Sequence, residues 1–176
     1  MRGELRPVRQ SEVLLEWYRS EQDVDWQREH RESFERERRG QNTEELAADG
    51  VRLLKGALLQ CRSTPQAFFD VHPTAWYATE ISPAALAEAT PIDQWGAFRS
   101  DSVRELVAVL PRLQRSKLSV PQLRHRLIVV SQSEQGKLLL LDGYRRSAGL
   151  LRANGADAIP VYWGICSQLA DWDYYR

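Results

Sequence analysis

The sequence is poor in the residues that carry metal and redox chemistry. Among 176 residues there are two cysteines, Cys61 and Cys166, and three histidines, His30, His72 and His125. Two cysteines so far apart make neither a disulfide framework nor a clustered zinc site, and no histidine stands at ligand spacing from another. Long apolar runs are also missing. No stretch reaches the roughly 18 residues that a membrane span needs, and the arginine- and acid-rich start lacks the apolar centre of a secretory signal. A cytoplasmic protein is therefore expected. Net charge is absent as well: 24 basic and 24 acidic side chains cancel, so no global field recruits nucleic acid or an anionic membrane, and any such binding must be local. Neither a Gly-x-Ser-x-Gly elbow nor a Gly-x-x-x-x-Gly-Lys loop occurs, which removes the α/β-hydrolases and the P-loop nucleotidases.

What the chain has is enough apolar residue to fold, 43% against 27% charged, in a length that suits one domain with an extension. The charge is uneven. Residues 1–50 hold 22 of the 48 charged side chains. Residues 11–39 contain neither Pro nor Gly, and Arg28/Glu32, Glu32/Arg36 and Glu35/Arg39 pair opposite charges at helical spacing, which predicts a long exposed helix. Its thin apolar stripe of Leu14, Leu15, Tyr18, Trp26 and Phe34 suits docking on the domain or on a second copy of the chain. Thr43 then caps a second helix carrying Leu46, Leu53, Leu54 and Leu58, and residues 63–73, with Pro65 and Pro73, read as a connection. The expected division is a charged helical extension over residues 1–74 and a domain over 75–176.

Within that domain the pattern is mixed α/β. Residues 76–81 alternate and are rich in aromatic and β-branched types, as in a strand. Ser82 and Pro83 follow as N-cap and first position of a short helix to Glu88. Ser102 and Glu105 form a capping-box pattern ahead of Val103, Leu106, Val107, Leu110 and Leu113, which share one helical face until Pro111 kinks or stops it. Two short apolar runs, 126–130 and 137–141, read as buried strands of a hairpin. A helix over 144–154 stopped by Gly155, a strand over 159–163 and a terminal helix over 167–175 complete the expectation.

The informative segment is Asp142-Gly143-Tyr144-Arg145-Arg146-Ser147, between the run of leucines 138–141 and the strand opening Ile159-Pro160-Val161. A helix that starts directly after a buried strand aims its free N–H groups at one spot, with about half a positive charge from the aligned dipoles. Gly143 permits a sharp turn and close approach of a ligand. Arg145 and Arg146 add charge-assisted contacts suited to phosphate. Two cations at a helix N-terminus are themselves unfavourable, by roughly 0.3–1 kcal/mol each, so an anion should relieve them, either a ligand or the neighbouring Asp142.

These residues resemble a family. A strand, an Asp/Gly-Gly-x-x-Arg turn opening a helix, a Gly and a returning Ile/Val-Pro-Val strand form the signature of the ParB N-terminal and sulfiredoxin-like superfamily. Here it reads Asp142-Gly143-Tyr144-Arg145-Arg146, Gly155 and Ile159-Pro160-Val161. The resemblance spans residues 124–163, is looser back to Trp76, and is absent from the first seventy. It implies a small mixed sheet with helices, a prokaryotic or phage-like setting, and a nucleotide, ATP or CTP with Mg, as cofactor. In partition proteins the matching stretch, Gly-Glu-Arg-Arg-x-Arg, attends the triphosphate of CTP. Gly143, Arg145 and Arg146 match it, while Tyr144 and Ala148 replace the Glu and the last Arg. The residues after Trp163 leave no space for a DNA-reading helix-turn-helix, so a complete partition protein is not expected. In sulfiredoxins the catalytic Cys falls on Tyr144, which excludes sulfinic-acid repair there. Free-serine kinases carry a motif similar to Asp-Gly-His-His-Arg; Asp142, Gly143 and Arg146 match, and both His are replaced.

Kinase- or nucleotidase-like phosphoryl chemistry would need two carboxylates. Asp142 is one candidate, with Glu80 or Asp93 as the other, each equally readable as a surface or turn residue. Candidate phosphate contacts are Gly143, Tyr144, Arg145, Arg146, Ser147 and Arg99. The alternative is a non-catalytic protein-protein interaction or regulatory module with a degenerate site. A further option is local nucleic-acid binding through the basic stretch Arg112, Arg115, Lys117, Arg124 and Arg126.

Overall fold

The computed structural model describes residues 3–22, 45, 73–92, 100–109, 123–153 and 155–172. The chain divides into two compact units, one of Met1–Pro7 with Thr64–Arg176 and one of Val8–Ser63. In the second unit the described helix is α1, Gln10–Gln22. Glu12 caps its start, where its Oε1 accepts from the Arg9 amide at 3.1 Å. Among its described side chains Val13, Leu15 and Trp17 are buried and Leu14 is half-buried. The rest of the expected helix over 11–39, and the helix expected after Thr43, lie outside the described residues apart from a helical position at Glu45.

The larger unit is mixed α/β. Its strands are β1 (Arg6–Val8), β2 (Ala75–Ile81), β3 (Thr90–Pro91), β4 (Leu127–Ser131), β5 (Leu139–Asp142) and β6 (Ile159–Ile165). Its helices are α2 (Pro83–Glu88), α3 (Val103–Val109) and α4 (Tyr144–Ala153), followed by a 3-10 turn, Leu169–Asp171. The six strands form one sheet in the order β1-β2-β6-β4-β5-β3. β6 runs antiparallel to β2 and parallel to β4, β5 is antiparallel to β4, and β3 is parallel to β5. Both outer strands are short and carry proline, Pro7 and Pro91, a residue without an amide to donate, which discourages further pairing.

The register explains the core. Ile81 faces Ile159, Val161 faces Leu127, Trp163 faces Val129, and Val129 faces Leu140. These side chains meet Leu86 of α2, Val103 of α3 and Leu150 of α4 in one apolar cluster. Ile128, Val130, Leu139 and Leu141, which alternate with them, are buried as well. Strands covered on both faces read as continuous rather than alternating apolar runs, and that is how the leucine-rich segments before Gly143 read. Gly164 is required by packing, since a Cβ there would stand 2.7 Å from Thr74 Cγ2 and 2.8 Å from the Trp76 ring.

The caps are as expected in kind. Ser82 Oγ accepts from the Ala85 amide at 3.2 Å with Pro83 at the first helical position, and Ser102 Oγ accepts from the Glu105 amide at 3.2 Å. Glu105 reaches back one residue further than a capping box requires, to the Asp101 amide at 3.0 Å. The terminal segment differs from the expected helix. Over its described part it is a turn and a 3-10 helix, held by i to i+3 bonds from Leu169 to Cys166, Asp171 to Gln168 and Trp172 to Leu169. Burying Leu169 and Trp172, three residues apart, favours the tighter winding.

Candidate functional site

The sheet topology gathers the motif at one end of the sheet. β2 and β5 finish there while β4 and β6 begin there, so Glu80, Asp142 and the residues just before Leu127 share that end. β5 ends on Asp142, Gly143 makes the turn and α4 starts at Tyr144.

Gly143 is required twice over. Its φ is +105°, where side-chain-bearing residues are strained, and a Cβ would fall 2.4 Å from Leu127 Cδ2. The turn is thus pressed onto the first residue of β4. The first helical bond runs from the Ser147 amide to the Gly143 carbonyl at 2.7 Å. Glycine itself offers no capping side chain at this helix start.

The two arginines go separate ways. Arg146 turns back toward the sheet: Nη2 donates to Asp142 Oδ2 at 2.5 Å, and Nη1 donates to the carbonyls of His125 and Arg126 at 3.0 and 3.1 Å. Its side chain is 19% exposed and that of Asp142 15%. Asp142 therefore neutralises Arg146, and the conflict of cation with helix dipole is relieved inside the protein. Arg145 is exposed and makes no ion pair among the described residues.

Tyr144 also faces inward. Its hydroxyl donates toward the Ile92 carbonyl at 2.8 Å and the Leu140 carbonyl at 3.0 Å, tying the first residue of α4 to β5 and to the chain after β3. Ser147 is fully buried, and its hydroxyl has no partner among the described residues. Glu80 is exposed on β2 opposite Pro160. Three strand spacings separate β2 from β5, about 14 Å, so Glu80 and Asp142 are not brought together. Asp93 and Arg99 lie outside the described residues, as do Arg112, Arg115 and Lys117 of the basic stretch. Arg124 is exposed, and Arg126 is half-buried.

Two roles were not read from the sequence, where Arg126 stood only in the basic stretch. Arg126 crosses the end of the sheet, donating from Nη1 to the Thr79 carbonyl at 3.3 Å with its guanidinium carbon 5.6 Å from the centre of the Tyr162 ring. The carbonyls of His125 and Arg126 serve as acceptors for Arg146, and no sequence signal marks a carbonyl.

The described residues do not fit a magnesium ion held by the protein. Asp142 is engaged with Arg146, Glu80 is remote, and no group of three His, Cys, Asp or Glu comes together among the described residues. Nor is any described helix long and apolar enough to cross a membrane. What the turn offers chemically is first-turn amides, the positive end of a ten-residue helix and one outward guanidinium, Arg145. Comparison of the chain with family models, with curated proteins and with solved structures finds no match.

Proposed function

We propose that this chain is a nucleotide-binding protein of the ParB/sulfiredoxin-like kind that takes the phosphates of its ligand at the amino end of α4. The observation that carries this reading is the Gly143 turn. It joins a buried strand to the first turn of α4, beside an exposed Arg145. The mixed sheet with helices, with the motif between β5 and β6, supports the reading at the level of fold class.

The roles divide differently from those of the motif. Arg145 and the amides of the first turn touch phosphate, while Arg146, Asp142 and Tyr144 hold the turn in shape. A magnesium ion would travel on the phosphates of the nucleotide itself. Asp142 with Glu80 does not make the pair of carboxylates that phosphoryl transfer needs, because Asp142 is neutralised by Arg146 and Glu80 is three strands away; Asp93, the other candidate, lies outside the described residues.

Thermal stability with ATP, CTP and ADP, each with magnesium, tests the reading. A ligand at about 100 times its dissociation constant adds about 2.7 kcal/mol. Arg145→Ala should abolish that gain while leaving the stability of the unliganded protein unchanged. A second reading, a non-catalytic interaction module, draws on the inward commitment of Tyr144 and Arg146, which leaves little of the motif facing solvent. It is favoured if no nucleotide shifts the transition.

A further inference from the structure

Hydrogen bonds run without a break across the end of the sheet. Residue Gly3 lies beside β2: its amide donates to the Glu80 carbonyl at 2.9 Å, and its carbonyl accepts from Thr79 Oγ1 at 3.1 Å. The Thr79 carbonyl accepts from Arg126. The Arg126 carbonyl accepts from Arg146, whose other terminal nitrogen holds Asp142 beside Gly143. Each link joins a different element, from the amino-terminal segment through β2 and the start of β4 to the turn that opens α4.

The path starts at Gly3, which leads within three residues into the edge strand β1. β1 is three residues long, two of them exposed, and Pro7 gives it no amide there. Short exposed edge strands open at low free energy, well before the core does. The other end is a tightly determined turn with a positive φ, which does not deform gradually.

We propose that Thr79, Arg126 and Arg146 form a seam through which docking of the amino-terminal segment at Gly3, just ahead of the edge strand, holds the first turn of α4 in shape, so that release of that segment loosens the turn. Arg126 is the coupling residue. Its carbonyl is gripped by Arg146, and its side chain reaches over Tyr162 to β2. A partner that engages the segment around Gly3 would thereby be felt at the Gly143 turn. This inference stands whether or not a nucleotide binds there.

Hydrogen exchange on the full chain tests it. Thr79→Val removes the hydroxyl that holds Gly3 while conserving volume and the Thr79 carbonyl; Thr79→Ser keeps the hydroxyl and should behave as the parent does. Thr79→Val should raise amide exchange several-fold both at residues 3–8 and at residues 143–148, leaving the β4 amides protected. In an Arg126→Met background the same substitution should still loosen residues 3–8 but add nothing at 143–148. The seam is overturned if Thr79→Val leaves exchange at 143–148 at the parental level, whatever it does at 3–8. It is equally overturned if the effects of Thr79→Val and Arg126→Met at 143–148 simply add.

Discussion

The Arg146 guanidinium closes on the carboxylate of Asp142, four residues before it, and uses its second terminal nitrogen on the carbonyls of His125 and Arg126. One side chain thereby fastens the end of β5, the start of α4 and the entry to β4. Removing one member of a largely buried, hydrogen-bonded pair leaves the other charge uncompensated. Arg146→Ala should therefore destabilise the protein by about 3 kcal/mol in denaturant unfolding. Arg146→Met combined with Asp142→Leu should recover much of that loss, since neither charge then remains unpaired. A loss below about 1 kcal/mol for Arg146→Ala would match the value of a surface pair and remove its structural role.

Gly143→Ala should cost about 2–4 kcal/mol, from the backbone strain at positive φ and the overlap with Leu127 together. Leu127→Ala in the same chain should not rescue it, because it relieves the overlap and leaves the strain while opening a cavity. Thermal unfolding of the single and double variants separates the two causes.

Tyr144→Phe keeps the ring in the core and removes only the hydroxyl shared by the carbonyls of Ile92 and Leu140. The expected loss is about 1 kcal/mol, with an unchanged far-ultraviolet spectrum. If Tyr144 were instead a phosphate contact, stability would hold and nucleotide affinity would fall.

Trp163 is buried, and its Nε1 donates to Ser131 Oγ at 2.8 Å, while Ser131 Oγ donates to the Ser133 carbonyl at 2.7 Å. Ser131→Ala strands an indole N–H in the core and should cost about 1–3 kcal/mol. Its denaturation midpoint should fall, and the native Trp163 emission should change with the lost hydrogen bond.

Much of the domain was legible because local chemistry and global fold agree. The alternation before Ile81, the Ser82-Pro83 pair and the apolar runs on both sides of Gly136 each name an element that the sheet then uses. β1 and β3 were not legible. Strands of three and two residues carry no period, and each contains a proline that argues against pairing. Gly143 could be identified as the turn residue because a positive φ has a sequence signature. The fates of Arg145 and Arg146 could not be separated, because both are cations in one helical turn. What divides them is the carbonyls of His125 and Arg126, brought near by the β4 and β5 pairing. Asp142 was legible as an alternative partner for either arginine, and the structure gives it to Arg146. The fixed cross-sheet role of Arg126 arises only from the parallel register of β4 with β6 and the antiparallel register of β6 with β2.

The phosphate reading is tested most directly by following the backbone amide resonances of the full chain while ATP, and separately CTP, is added with magnesium. Binding at the α4 turn should produce saturable shifts that are largest at the Arg145 and Arg146 amides and are lost in Arg145→Ala. Amides there that stay unmoved at millimolar nucleotide, or that move no more than those of β4, would contradict it.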